Sequence, residues 1–492
     1  MSSPGWLPRA WRAYTVAAFV ALSCLDNVAI GLVPPLLSPI SVGLGVSEAA
    51  VGVVAAVSFL VTAVASVGWA YAGDRLDRRR LLVVGTLVWS GGAAATASAD
   101  SLPWFVVAQL LTAVGLGAVG SVGFSVVSDL VPPRRRGLAL AFWGLGQGVG
   151  TLTGTLLSGL LGARDWSRPF LALAVAGVVA AAAYGLSAPV PRGGSEPELA
   201  ALFAAGGSYE QRIGPRDLPS ILGRRTNVWL IAQGLTAQAA LGSMVWLPRL
   251  FQARAQEQGY DEPTAIVIGS VFATAFQLGG ALSLVGGAIG DRLGRRDPAA
   301  RLRVAAIGVL GAVPLYLFVL FLPMRVTVVP GSATAVAGQV LASLVTEPTA
   351  ALTWGLAVLA VGLTSANSPN WFASIVEVNP PEHRGTVYSL GNLVNGVGRS
   401  AGAAVVAALT RGLAGVAPGP LGIAAALAVC QLLFVPTGWM YLRAARSCRA
   451  DAWSVRTMLR DRARRAMPPA ASPDPGVLGG GRSHGGGERD LP

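Results

Sequence analysis

Lysine is missing from this chain. All 37 basic residues are arginine, and with the abundance of alanine, glycine and proline this points to a GC-rich bacterial genome. Charge of any kind is scarce: 12% of residues are charged against 53% hydrophobic, and the mean hydropathy is +0.58. That balance excludes an ordinary soluble globular protein and makes the bilayer the main solvent. Cysteine is scarce too, and Cys24, Cys430 and Cys448 have neither the number nor the spacing of a disulfide framework or a metal cluster. The two histidines, His383 and His484, fall in a loop and in the tail. Without HExxH, a phosphate-cradling glycine loop or a nucleophile arrangement, enzyme chemistry and ATP-driven work are unsupported, and no cofactor or metal is called for. The net charge of +13 is no nucleic-acid signature, because the arginines form short clusters between apolar stretches and not one continuous face.

What the chain has instead is apolar windows of about 20 residues, the length that crosses a bilayer. Twelve are expected. Six fall near 14–36, 48–72, 81–98, 103–128, 138–162 and 169–189, and six near 227–250, 264–289, 303–323, 350–376, 386–410 and 420–442. The N-terminus runs into the first window with no small-residue cleavage site, so it reads as a spanning helix and not as a removed signal. The expected layout is a six-helix bundle over 1–189, a linker over 190–226, a second six-helix bundle over 227–445 and a tail over 446–492. Arginine clusters follow the even-numbered windows, which places both termini and the linker in the cytoplasm of a bacterial plasma membrane. In the tail, 451–467 reads as an interfacial helix on anionic lipid or as a solvated basic segment; the Gly- and Pro-rich remainder has little to bury and reads as disordered.

Two phrases occur twice. "GDRLDRRR" (73–80) and "GDRLGRR" (290–296) put Asp74 and Asp291 217 residues apart, each after the second window of its set. "DLVPPRRRG" (129–137) and "EVNPPEHRG" (377–385) are offset by 248, which locates an insertion at the loop 324–349. The halves are duplicates.

The second copy, Gly287, Gly290, Asp291, Arg292, Gly294, Arg295 and Arg296, resembles the loop signature of the major facilitator superfamily. The first copy departs from it at Ala70 and Asp77 but keeps Asp74, Arg75 and Arg79. "LSCLDNVAIGLVPPLL", "VSEAAVGVV" and the fourth and fifth windows resemble the spinster-like branch, whose members move lysophospholipids and sphingoid-type amphiphiles. Asn27 stands where that branch often has arginine, and Ala118 where it has an acid, which puts full transfer of its ion coupling in doubt. The resemblance implies an all-α integral membrane fold of two six-helix bundles. The duplicated charged loops, Asp74, Arg75, Arg79, Asp291, Arg292 and Arg295, suit a conformational latch against helix ends bearing Asp129, Arg136, Glu377 and Arg384, or a static arrangement in which the arginines fix topology and the acids neutralise them.

Two costly residues stand near mid-span. Asp26, about 18 Å along the first helix, must face water, pair or protonate, and is the proton-coupling candidate. Arg399 keeps its charge and needs an anion, Asp26, a substrate headgroup or both in turn, or else a helix tilt that lets it reach water. Gln109, Gln147, Gln233, Gln238, Gln277, Asn367 and Asn370 are further substrate-lining candidates, each of which also suits a plain interhelical hydrogen bond. The expectation is a monomeric secondary transporter, proton-coupled, moving an amphiphilic or anionic small molecule such as a lysophospholipid-like lipid, with protons and membrane lipids as partners. A drug/proton antiporter and an uncoupled lipid scramblase or channel stay open as alternatives.

Overall fold

A long apolar run in lipid has no water to satisfy its backbone, so it closes its hydrogen bonds within itself as helix. The computed structural model describes residues 9–73, 76–123, 126, 136–187 and 218–466, and among these it contains helices and no strand. Asp74, Arg75 and Asp129 lie outside the described residues, as do most of the linker and the end of the tail; Arg136 is described by its backbone alone. Among the described residues, eleven helical stretches are long and apolar enough to cross a membrane. The 27-residue helix Arg136–Gly162 stands between two of them, in the place of the fifth span. The protein is a multi-pass, helical membrane protein, and spans are numbered below in chain order.

Spans 1 and 7 run past their expected ends. Each turns through a short 3-10 segment, Pro34–Leu36 and Met244–Trp246, and continues as a helix, Leu37–Leu44 and Leu247–Glu257. Gly45 at φ 65° and Gly259 at φ 91° then end the two extensions in the left-handed region, where a Cβ would be strained. Spans 2 (Glu48–Gly73) and 8 (Glu262–Gly294, through a 3-10 turn at Leu278–Leu282) begin just beyond. An acid inside the first charged phrase and one just past the second each start the following span. Asp77 accepts the Arg79 N–H at 2.8 Å, and Asp297 accepts the Ala299 N–H at 3.1 Å. Such caps contribute about 1 kcal/mol each.

Within each half the glycines set the packing. A Cβ on Gly150 or Gly154 of span 5 would fall 2.3 and 2.2 Å from carbonyls of span 1. On Gly398 or Gly402 of span 11 (Pro381–Leu413) it would fall 2.3 and 1.9 Å from carbonyls of span 7. The two pairs are offset by 248, the offset of the Pro-Pro phrases. These glycines allow close helix approach in both halves. Between halves, span 2 packs on span 11 and span 5 on the first part of span 8, Glu262–Gln277.

Two features differ from expectation. The 324–349 insertion contains a helix, Ala333–Thr346. The last helix continues unbroken from Phe434 to Ala466, straight through the expected boundary at 445, with Cys448, Ala452, Val455 and Leu459 buried. Ala452, Val455 and Leu459 are therefore spent on the protein itself, while Trp453 stays 71% exposed.

Candidate functional site

Asp26 is 5% exposed, on the buried side of span 1. Its neighbour is the indole of Trp89 from span 3 (Arg78–Ala97), which is fully buried. Neither Asp26 Oδ1 nor Trp89 Nε1 closes a hydrogen bond. The acid thus sits inside the first half, and among the described residues no cation stands beside it.

Arg399 does not reach Asp26, and no ion pair joins them. Its guanidinium carbon lies 4.6 Å from the ring centroid of Phe59 on span 2, so the charge rests on an aromatic face where the two halves meet. Its Nε is buried without a partner. Close packing fixes the backbone there, since a Cβ on Gly242 would strike the Arg399 carbonyl at 2.2 Å. The position equivalent to Arg399 at the 248 offset is Thr151, whose hydroxyl bonds the Gln147 carbonyl at 3.2 Å. The result is a fixed positive charge, lacking a protein anion among the described residues, at the seam between spans 2 and 11.

Most of the other polar candidates are engaged in structure. Gln109 donates to Thr96 at 3.2 Å inside the first half. Gln233 donates to the Leu230 carbonyl at 3.1 Å, with its oxygen buried and unpartnered. Gln277 donates to the Ala273 carbonyl at 3.3 Å. Span 10 breaks into Pro348–Ser365 and Asn367–Val378, and Asn370 spans the break by donating to the carbonyls of Gly286 and Ala366. Asn367 accepts from the Tyr441 hydroxyl. Gln147 and Gln238 are half-buried and make no side-chain hydrogen bond among the described residues.

At the arginine-rich end every described charged contact stays within one half. Arg301, a residue the sequence reading passed over, bridges Asp291 and Glu377 at 2.9 Å each. Arg456 adds a second contact to Glu377 at 2.8 Å, and Arg449 pairs with Asp297 at 2.6 Å. Arg384, expected near Glu377 as a latch partner, instead donates to the Val376 and Asn379 carbonyls at the end of span 10. Arg292 and Arg295 are exposed, and Arg79 donates to the Ser187 carbonyl at 2.7 Å. Helix position explains the substitution of Arg301 for Arg384: Arg301 is one turn past the Asp297 cap and faces span 10 directly.

The halves are joined at the opposite end. Arg249 Nε binds both oxygens of Glu48, at 2.9 and 2.7 Å. Ser38 donates to Glu262 at 2.9 Å, and Gln252 donates to the Pro35 carbonyl at 2.6 Å. The Trp246 indole lies against Gly52, where a Cβ would come within 2.3 Å of it. The extensions of spans 1 and 7 supply these contacts, and each extension reaches the start of the other half's second span. The far end is shut.

Residues 19–403 match the family profile described as the Major Facilitator Superfamily. Protein spinster homolog 3 of Mus musculus is 27% identical over 317 residues, covering 59% of this chain and 57% of the relative. The sphingosine-1-phosphate transporter SPNS2 of Mus musculus is 25% identical over 302 residues, 58% of this chain and 53% of the relative. The chain thus spans little more than half the length of these curated relatives. Among solved structures, the fold is similar to a bacterial homolog of the human lysosomal transporter Spinster in an inward-facing, unoccupied conformation. That match has a TM-score of 0.68 at 17% identity, over 90% of this chain and 99% of the other.

Proposed function

Because the chain belongs to the Major Facilitator Superfamily, we propose that it is a secondary active transporter whose substrate is an amphiphile with an anionic headgroup, such as a lysophospholipid-like lipid, moved in exchange with or alongside protons. In this reading the arginine-rich end is cytoplasmic, and the chain rests in an inward-facing state with its outer end latched by Glu48, Arg249, Ser38 and Glu262.

The observation that carries the substrate class is Arg399. A guanidinium held at mid-membrane without an acid needs a counter-ion, and a phosphate or carboxylate headgroup supplies one with matching fork geometry. Phe59 below the guanidinium and the apolar seam around it suit the adjoining chain of the amphiphile. The names of the relatives support the same class. Cationic drugs would meet a like charge at this position.

Proton coupling is assigned to Asp26. Because its carboxyl and Arg399 occupy separate places, a proton on one and an anion on the other can load independently. Alternating access then exposes both to each side in turn. The latch of two matched charged loops belongs to the same proposal: closing the cytoplasmic end would require the Arg301 cluster to meet the first half's loop.

The test is ligand stabilisation of the purified protein. Lysophosphatidylglycerol is expected to raise its thermal midpoint, monoacylglycerol of the same chain length is not, and Arg399→Gln is expected to abolish the difference. Equal stabilisation by both lipids in the unsubstituted protein would refute the anion reading.

A further inference from the structure

Span 2 carries an exposed apolar stripe along its whole length, through Val53, Val57, Leu60, Val64, Val67 and Tyr71. A stripe at three- and four-residue spacing on a spanning helix is its lipid-facing side. Span 8 stands at the matching place in the second half, but its stripe (Leu278, Leu282, Val285, Ile289) covers only the part nearer the arginine-rich end. In its other part every residue from Thr264 to Phe276 except Thr274 is buried. A helix at the rim of a bundle is buried on all sides only where something covers it. Here the cover is the inserted helix Ala333–Thr346, which packs on spans 8 and 10 and reaches span 5 of the other half.

That helix has two unlike sides. Val336, Val340, Ser343 and Leu344 are buried against the spans. The other side presents Ala335, Gly338, Leu341, Ala342 and Val345, of which Val345 is 82% exposed. Residues 326–346 contain no charge, while Arg325 and Glu347 bracket them. A helix face turned to water would be expected to carry charged residues. Leu352 and Leu359 of the adjoining span 10 are also exposed, so the apolar face continues a surface that already meets lipid. At 14 residues the helix is about 21 Å long, too short to cross a hydrocarbon core of about 30 Å.

We infer that the helix 333–346 is a half-membrane plug. It lies in the leaflet away from the arginine-rich end, with its outer face against acyl chains, and seals the seam between spans 5 and 8 from lipid on that side. The seam between spans 2 and 11, where Phe59 meets Arg399, has no such cover among the described residues. The lipid contact stands on the membrane fold alone and does not depend on the substrate proposed above.

Nitroxide labels at Leu341→Cys and Val345→Cys test this, in a background with Cys24→Ser, Cys430→Ala and Cys448→Ala. Val285→Cys on the span 8 stripe serves as the lipid reference and Gly331→Cys in the preceding loop as the water reference, all in phosphatidylglycerol-containing vesicles. Power saturation is expected to show oxygen collisions exceeding those of a nickel chelate at both helix positions, as at Val285. Nickel access equal to that at Gly331 at both positions overturns the inference. If the cysteine-free background does not fold, the same sites are labelled in the native background, where Cys430 and Cys448 are buried, and the signal of the unsubstituted chain is subtracted.

Discussion

Replacing Glu48 by glutamine removes one charge from the outer closure and leaves its shape. Arg249 Nε holds both carboxylate oxygens, at 2.9 and 2.7 Å, and the two side chains are only 15% and 27% exposed. Hydrogen bonds to charged groups contribute roughly 1.5–3 kcal/mol, and partial exposure brings the net value to about 1–2 kcal/mol. The contacts of Ser38 with Glu262 and of Gln252 with Pro35 persist in the variant, so the closure weakens without vanishing. A loss of that size multiplies the ratio of open to closed outer ends by roughly 5–30. Pulsed electron resonance between labels at Val42→Cys and Val416→Cys, both exposed at that end on opposite halves, reads the ratio directly. A long-distance component should grow in Glu48→Gln and in Arg249→Met, and the double variant should match either single one, because only one interaction is lost. An unchanged distance distribution in Glu48→Gln, or strictly additive effects, would remove the pair from the closure.

Four more outcomes follow from the geometry. Hydrogen bonds from Arg449, with help from the Ala299 N–H and Arg303, hold the Asp297 carboxyl down at about 2. Its stabilising effect is therefore present above the unfolded value of about 3.9 and lost as pH falls towards about 2; melting in detergent should show a steeper acid loss for the native chain than for Asp297→Asn. Gly290→Ala places a Cβ 1.8 Å from Asn370 Oδ1, and overpacking of this kind costs about 1–3 kcal/mol, visible as a lower melting temperature that Asn370→Ser partly restores. Asp26→Asn should abolish accumulation of substrate against a gradient while downhill exchange continues; accumulation at the native level would make Asp26 structural. Arg301→Ala frees Asp291 and Glu377 together, so it should destabilise the second half more than Arg456→Ala, which leaves Glu377 one arginine; equal melting temperatures would contradict this.

How much of this was legible in the sequence depends on what each residue's role rests on. Span count, the duplicated halves and the cost of Asp26 and Arg399 follow from hydropathy and spacing, which the chain displays directly. The continuation of spans 1 and 7 did not, because the expected windows end at 36 and 250 whereas both helices carry on beyond 3-10 turns at Pro34–Leu36 and Met244–Trp246. The outer closure was invisible for the same reason: Glu48 and Arg249 are ordinary surface charges until two extensions bring them together. Arg301 was missed because partners were sought next to Glu377 along the chain, whereas helix geometry selects across the bundle. Asp26 and Arg399 were open to direct pairing in the sequence, and only the placement of Trp89 and Phe59 beside them separates the two.

The final helix has a consequence for how the second half holds itself together. Asp451 accepts the Thr226 N–H at 3.1 Å, Ser447 meets the Thr226 hydroxyl at 2.8 Å, Thr437 meets Thr236 at 2.7 Å, and Trp439 stands edge-on to Trp229 at 5.3 Å. The first and last helices of this half are thus riveted to each other along much of their length, and the polypeptide forms a ring in all but its covalent bonds. Its beginning, where a segment tethers it to its twin, is anchored by its own end. Severing that tether would leave an intact second bundle, and moving the chain's start to a new opening in the ring would keep the same architecture.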